Sequence, residues 1–507
     1  MAIQRREDDY RFEVISRSYR NRRTLALALS LIGVLAFFVV QAVRTLGDTS
    51  SVQLFPNPTG YLGTFSTTGS IDTTNPFFES LGTNGRSCGT CHVAGDAWSV
   101  VPSHIRERFE ATHGTDPIFR PVDGSNCSNS PGVNSTPPAE SAYSLLLNKG
   151  LIHVSLPIPV NAQFTVKVVS DPYGCAMTTD ASGQQFLSMY RRPLPATNLG
   201  FLSTVMFDGR ETVKPLSNGA TFQSNINFDL RHQAIDATLG HAQGAQPPTQ
   251  IQLQQIVAFE LATFTAQQVD NEAGNLNSQG GNGGPLFLSA VPYYPGINDS
   301  LGGNPTGAAF NPSAFTLFAA WADLPGNNPN VPARESVARG EILFNTTPVV
   351  IQDVKGLNDA LGQTTIVGTC TTCHDTPQVW DHSFSVPLDI GISDVPAGPS
   401  DPLAQSLAQL NSPLVPIYSL RCSTKLGAPI NETIQTTDPG RALITGRCQD
   451  IGKFKGPILR GLAGHAPYFQ NGAADSLEQV VEFYNLRFQM GLKGGDIQDL
   501  VNFLSSL

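Results

Sequence analysis

Cys88-Gly-Thr-Cys91-His92 and Cys370-Thr-Thr-Cys373-His374 repeat one pattern, C-x-x-C-H, far apart in a chain of 507 residues. This spacing is the attachment pattern of c-type haem. Two thiols three positions apart meet the two vinyl groups of a porphyrin edge, and the adjacent histidine reaches the iron from the proximal face. A zinc knuckle would want its four ligands close together in sequence. A thioredoxin-like C-x-x-C requires no histidine and has no reason to occur twice. The pattern therefore implies two covalently bound haem c groups held by Cys88, Cys91, Cys370 and Cys373, with His92 and His374 as iron ligands.

The remaining four of the eight cysteines are Cys127, Cys175, Cys422 and Cys448. Three connectivities are open to them, and proximity in sequence favours Cys127–Cys175 and Cys422–Cys448 in an oxidising compartment. Export fits the N-terminus. Residues 1–23 hold seven arginines against four acids, and residues 24–43, TLALALSLIGVLAFFVVQAV, carry no charge. Such a stretch spans about 30 Å, the thickness of a bilayer core. The basic flank stays inside, which puts the rest of the chain on the periplasmic or extracytoplasmic side as a single-pass anchored protein. A cleaved signal ending near Val40-Gln41-Ala42, giving a secreted protein, is the alternative. The net charge of −10 argues against a nucleic-acid partner, which calls for a basic face. With 40% hydrophobic residues and 28 phenylalanines, the chain has a core to bury and is not disordered.

Periodicity places helices at the ends of each half. Residues 251–269 read as helical, with Ile256, Phe259, Leu261 and Phe264 buried. Residues 334–345 form a short amphipathic helix before the second motif. The closing stretch places Ile497, Leu500, Val501 and Leu504 on one helical stripe. No strong set of alternating strands is evident, although residues 165–170 could form a short one. The expected fold is mainly α: two class I cytochrome c-like domains with long loop insertions, preceded by one transmembrane helix. Residues 44–74 read as a tether, 75–331 as the first haem domain with its insertions, and 332–507 as the second.

These motifs, with Phe207-Asp208-Gly209-Arg210, Phe454-Lys455-Gly456-Pro457-Ile458-Leu459-Arg460, Ala466-Pro467-Tyr468-Phe469-Gln470-Asn471-Gly472 and Ser476-Leu477-Glu478, resemble the bacterial di-haem cytochrome c peroxidase family, which includes MauG. The resemblance implies a peroxidase. Hydrogen peroxide would be reduced at the first haem, with electrons entering at the second from a small cytochrome c or cupredoxin. Two other functions remain open: a non-catalytic di-haem electron-transfer cytochrome of a membrane complex, and a MauG-like oxidase.

Departures from the family pattern define the candidate site. Its inter-haem tryptophan falls at Phe207. The catalytic glutamate expected downstream of Gln233-Ala234 meets His241-Ala242-Gln243, so Phe207, Gln233, His241 and Gln243 are the candidate catalytic residues. His241 could serve in acid–base catalysis or ligate the first iron. Calcium is a further family cofactor, but Arg192 stands where the family has an asparagine that helps bind it. Sixth-ligand candidates are His465 and Met490 for the second iron and Met189 for the first. Arg210 and Arg460 would pair with a haem propionate or an internal carboxylate. Trp98 and Trp380 each follow a motif histidine by six positions.

Overall fold

A computed structural model describes residues 51–213, 222–383, 386–396, 401, 414–423 and 432–507. Among these the mainly-α expectation is corrected: twelve strands form four sheets beside the helices. The strands are short, and several pair across long sequence distances, so little local alternation announces them. The apolar stretch 24–43 lies outside the described residues, and no described helix is long and apolar enough to cross a membrane.

The first sheet runs β1 (Val52–Asn57), β2 (Gly60–Ser66), β7 (Thr263–Asp270) and β8 (Gly274–Asn275), all antiparallel. The segment read as a tether therefore contains a hairpin. Its corner is Gly60, at φ +144°, where a Cβ would collide with the Val269 carbonyl. The stretch read as one helix over 251–269 instead splits into a helix Gln250–Ala262 followed by β7. The helix starts at a capping box between Thr249 and Gln252. It ends where Thr263, Phe264 and Thr265, β-branched and aromatic, pair with β2.

A second sheet joins β3 (Ile152–Pro157), β6 (Gln185–Arg191) and β5 (Met177–Thr179). A third joins β4 (Phe164–Ser170), which includes the short strand expected at 165–170, to β11 (Ile417–Cys422) and β12 (Thr433–Thr436). This third sheet combines strands from both halves of the chain. Between the second and third sheets lies a core of Phe164, Leu187, Met189, Tyr418 and Leu420. Cys127 with Cys175 and Cys422 with Cys448 lie at disulfide distance, Cα to Cα 6.3 and 6.0 Å. Strands β9 (Val349–Gln352) and β10 (Thr365–Gly368) form a hairpin leading into the second motif.

The helices before the second motif and at the chain end are Val331–Thr346 and Gly494–Ser505. They cross closely because Gly340 has no side chain; a Cβ there would collide with the Asp499 carbonyl. Around the crossing, Phe315, Phe344, Trp380, Phe483, Phe503 and Leu507 form the largest core. In the first half the place of the leading helix is taken by a single 3-10 turn, Pro76–Phe78, whose Phe77 and Phe78 rings pack on Phe259 and Trp98. Residues Val52–Leu507 pack as one unit.

Candidate functional site

Each C-x-x-C-H pattern folds into the same local structure. Cys88–Thr90 and Cys370–Thr372 are 3-10 turns. The amides of Ser87 and Thr369 donate to Thr90 Oγ1 and Thr372 Oγ1, both at 3.0 Å. The amides of His92 and His374 donate to the carbonyls of Cys88 and Cys370, again both at 3.0 Å. All four cysteines are free thiols. Burial pushes Cys88, Cys370 and Cys373 up to about 12.

Both motifs line one cavity of about 420 Å³. His92 Nδ1–H donates to the Trp98 carbonyl at 3.0 Å, which fixes the tautomer and leaves Nε2 for a metal. Trp98 and Trp380 both adopt left-handed backbone, φ 59° and 69°, unusual for a bulky residue. The two tryptophans thus close equivalent turns behind the two histidines. The Trp380 carbonyl faces His374 but falls outside hydrogen-bonding geometry, so His374 Nδ1 is buried and unpaired. Burial pulls His374 down to about 4. An imidazole held neutral in this way is in the form that ligates iron.

These residues fit haem c. Each motif offers two reduced thiols and one imidazole on the wall of the same cavity, and a buried cation awaits an anion. Arg460 donates through Nε and Nη2 to the Gln378 carbonyl at 3.1 and 2.6 Å, while its buried Nη1 has no partner. Burial pulls this guanidinium down to about 9. A porphyrin carboxylate would satisfy it. Arg210 also lines the cavity, but its Nη1 is already engaged by Asp208 at 3.1 and 3.2 Å.

Among the candidate catalytic residues, Phe207, Gln233 and His241 line the cavity. Gln243 does not; its Oε1 accepts from Asn84 Nδ2 at 3.3 Å. His241 Nδ1 is hydrogen-bonded to Asp123, which also pairs with Arg86. Burial opposes ionisation of Asp123, but His241 and Arg86 outweigh it and hold the carboxyl below its usual range. His241 also lies close enough to His92 to disfavour protonation there.

The sixth-ligand candidates separate. Met490 lines the cavity and packs against the same apolar cluster as Cys370 and Cys373 of the second motif. His465 also lines it, pulled down to about 4 by burial and Arg192. Its loop, however, is fastened to the first half: Arg192 Nη2 donates to both the His465 and the Val100 carbonyls, at 2.8 and 2.7 Å. Gly464 of the same loop packs on Ala97, next to Trp98. Met189 is fully buried between the second and third sheets and is not on the cavity wall.

Several contacts at the site carried no local sequence signal. Asp123 is the partner of His241 although 118 positions separate them. Arg191 bridges Asp208 and Asp438, joining the Phe207–Arg210 segment to the second half. Lys455, half-buried, lines the cavity beside Asp381, whose carboxyl burial pushes up to about 7. Glu260 is a buried acid on the cavity wall. Glu211 pairs with His232 at 2.7 Å outside the cavity, with Asp236 close by.

No family model matches the chain. Part of it is similar to cytochrome-c peroxidase IdrP2 of Pseudomonas sp. (strain SCT), 35% identical over 119 residues, covering 23% of this chain and 27% of that protein. Cytochrome-c peroxidase IdrP1 of the same strain is 29% identical over 149 residues, 27% of this chain and 36% of that protein. IdrP2 of Denitromonas iodatirespirans is 32% identical over 150 residues, 28% of this chain and 36% of that protein. The matched region thus spans roughly a third of these curated relatives. Among solved structures, a MauG-like protein associated with microbial copper homeostasis aligns over 85% of this chain and 87% of that one, at TM-score 0.30 and 14% identity. The sequence relatives are oxidoreductases by name and imply covalently bound haem c.

Proposed function

We propose that the protein is a di-haem c peroxidase acting outside the cytoplasm, reducing hydrogen peroxide to water at the first motif with electrons received at the second from a small redox protein. The observation that carries this reading is the single cavity lined by both C-x-x-C-H motifs, with the His241–Asp123 pair on its wall beside the first. Bound haem would supply the electrons and the site for peroxide. Asp123 holds the Nδ1–H of His241, leaving Nε2 to accept a proton from incoming peroxide and return it to the departing oxygen. Overall, one peroxide, two electrons and two protons give two waters. Arg86 keeps Asp123 ionised throughout, so the imidazole stays in one tautomer.

Electron transfer without catalysis is the second reading, and Gln243 favours it: no acid stands at the family position, and the residue there is turned off the cavity. Peroxide consumption by the holoprotein with a reduced small cytochrome c as donor separates the two. Turnover that falls by about 10²- to 10⁴-fold in H241A supports the peroxidase. Absence of turnover in the wild-type protein carrying both haems supports the carrier.

A further inference from the structure

Glu260 is an acid that no part of the proposed reaction uses. It sits on the helix Gln250–Ala262, is 5% exposed, lines the cavity, and its Oε2 has no hydrogen-bond partner. Burial alone acts on it and pushes the carboxyl up to about 8, and its own charge is felt at Cys88.

Among the described residues the surrounding elements supply no counter-charge, and Arg231 of the neighbouring helix is turned to Asn227 and Gln250. Arg86, Asp123 and His241 satisfy one another. Arg210 is bound to Asp208 and Glu211 to His232. On the neighbouring helix Phe222–Gly240, Asp229 accepts from the Val213 amide, and Asp236 lies in the Glu211–His232 group. The turn Pro76–Phe78 contributes only the anionic Glu79 at its end, β7 only Asp270 at its far end, and His92 is tied to the Trp98 carbonyl.

A carboxyl in this position responds to any change of charge beside it, because low dielectric magnifies the interaction and no partner buffers it. With Cys88 joined to a porphyrin, the change of charge at that edge is the reduction of the iron. The ferric group carries one net positive charge and favours the carboxylate; the ferrous group carries none and leaves burial to favour the acid. We propose that Glu260 takes up the proton that accompanies one-electron reduction of the haem at Cys88–His92, so that the site keeps its net charge. One electron from the redox donor converts ferric to ferrous iron, and one solvent proton converts the Glu260 carboxylate to the carboxylic acid. This rests on the haem reading above.

The test is a spectroelectrochemical titration of the full holoprotein from about pH 6 to pH 8, with covalent haem counted first. Each tenfold change in proton activity is worth about 59 mV for a one-electron couple. The first haem's potential should fall with pH toward that slope, and E260Q should remove the slope while leaving the second haem unchanged. If E260Q does not fold, the redox-difference infrared spectrum of the wild type decides: a carboxylic C=O band that appears on reduction and shifts in D2O is expected. Equal slopes in wild type and E260Q, or no such band, overturn the inference and leave the peroxidase reading standing. A protein without haem on Cys88 and Cys91 overturns both.

Discussion

Replacing Asp123 by asparagine separates two roles that the structure gives one side chain. Among the described residues Asp123 is the only carboxylate paired with the buried Arg86, whose side chain is 4% exposed, and it also holds His241 Nδ1. Removing one partner of a buried ion pair costs about 3–5 kcal/mol. Arg86 keeps carbonyl partners at Pro117 and Ile118, both at 2.8 Å, so the low end, about 3 kcal/mol, is expected. The sign of the pH effect follows from the lowered carboxyl. The pair's contribution is complete above the unfolded carboxylate value of about 3.9 and is lost as pH falls through the lower folded value. Urea unfolding from neutral to acid pH should show this loss in the wild type and not in D123N. If Asp123 acts on turnover only through His241, then D123N lowers peroxide turnover steeply in the wild-type background and adds nothing to H241A, where its stability cost is smaller because the His241 contact is already gone. Full turnover in D123N, measured as peroxide-dependent oxidation of a reduced small cytochrome c, would refute the orienting role.

Other consequences are as direct. Changing Cys88 and Cys91 to alanine, or Cys370 and Cys373 to alanine, should each lower covalent haem from two per chain to one by pyridine haemochrome assay; loss of both from either change contradicts independent sites. Serine at Cys127 and Cys175, which close a loop of 48 positions, should cost about 4 kcal/mol in chemical denaturation, and serine at Cys422 and Cys448, separated by 26, about 3.5. Gly340→Ala should destabilise by about 1–3 kcal/mol, since the crossing helices must part to admit the methyl group. An unchanged denaturation midpoint would show that the helices give way freely.

What could be read in the sequence was whatever chemistry forces into adjacency. Cys88, Cys91 and His92 must be neighbours to hold one porphyrin, so the motif is visible without a fold. The amphipathic stripe of the last helix is local in the same sense. The sheets were not legible, because β2 owes its place to β7 some two hundred positions away and β4 to β11 in the other half. The split of residues 251–269 illustrates the point: Thr263–Asp270 continues the apolar pattern of the helix before it, and only the β2 edge makes it a strand. His465 belongs by sequence to the second half, yet Arg192 and Gly464 fasten its loop against the first. Asp123 and Glu260 carried no pattern at all. One is marked by what it touches and the other by having no partner, and both facts exist only in three dimensions.

The peroxidase reading requires that two haems share one cavity and that the one beside His241 meets peroxide. Electron paramagnetic resonance of the purified holoprotein, half reduced and then given one equivalent of peroxide, tests it most directly. A high-spin ferric signal from the first haem that peroxide abolishes within the mixing time is expected. Two low-spin signals that peroxide leaves unchanged would contradict it and make the protein an electron carrier.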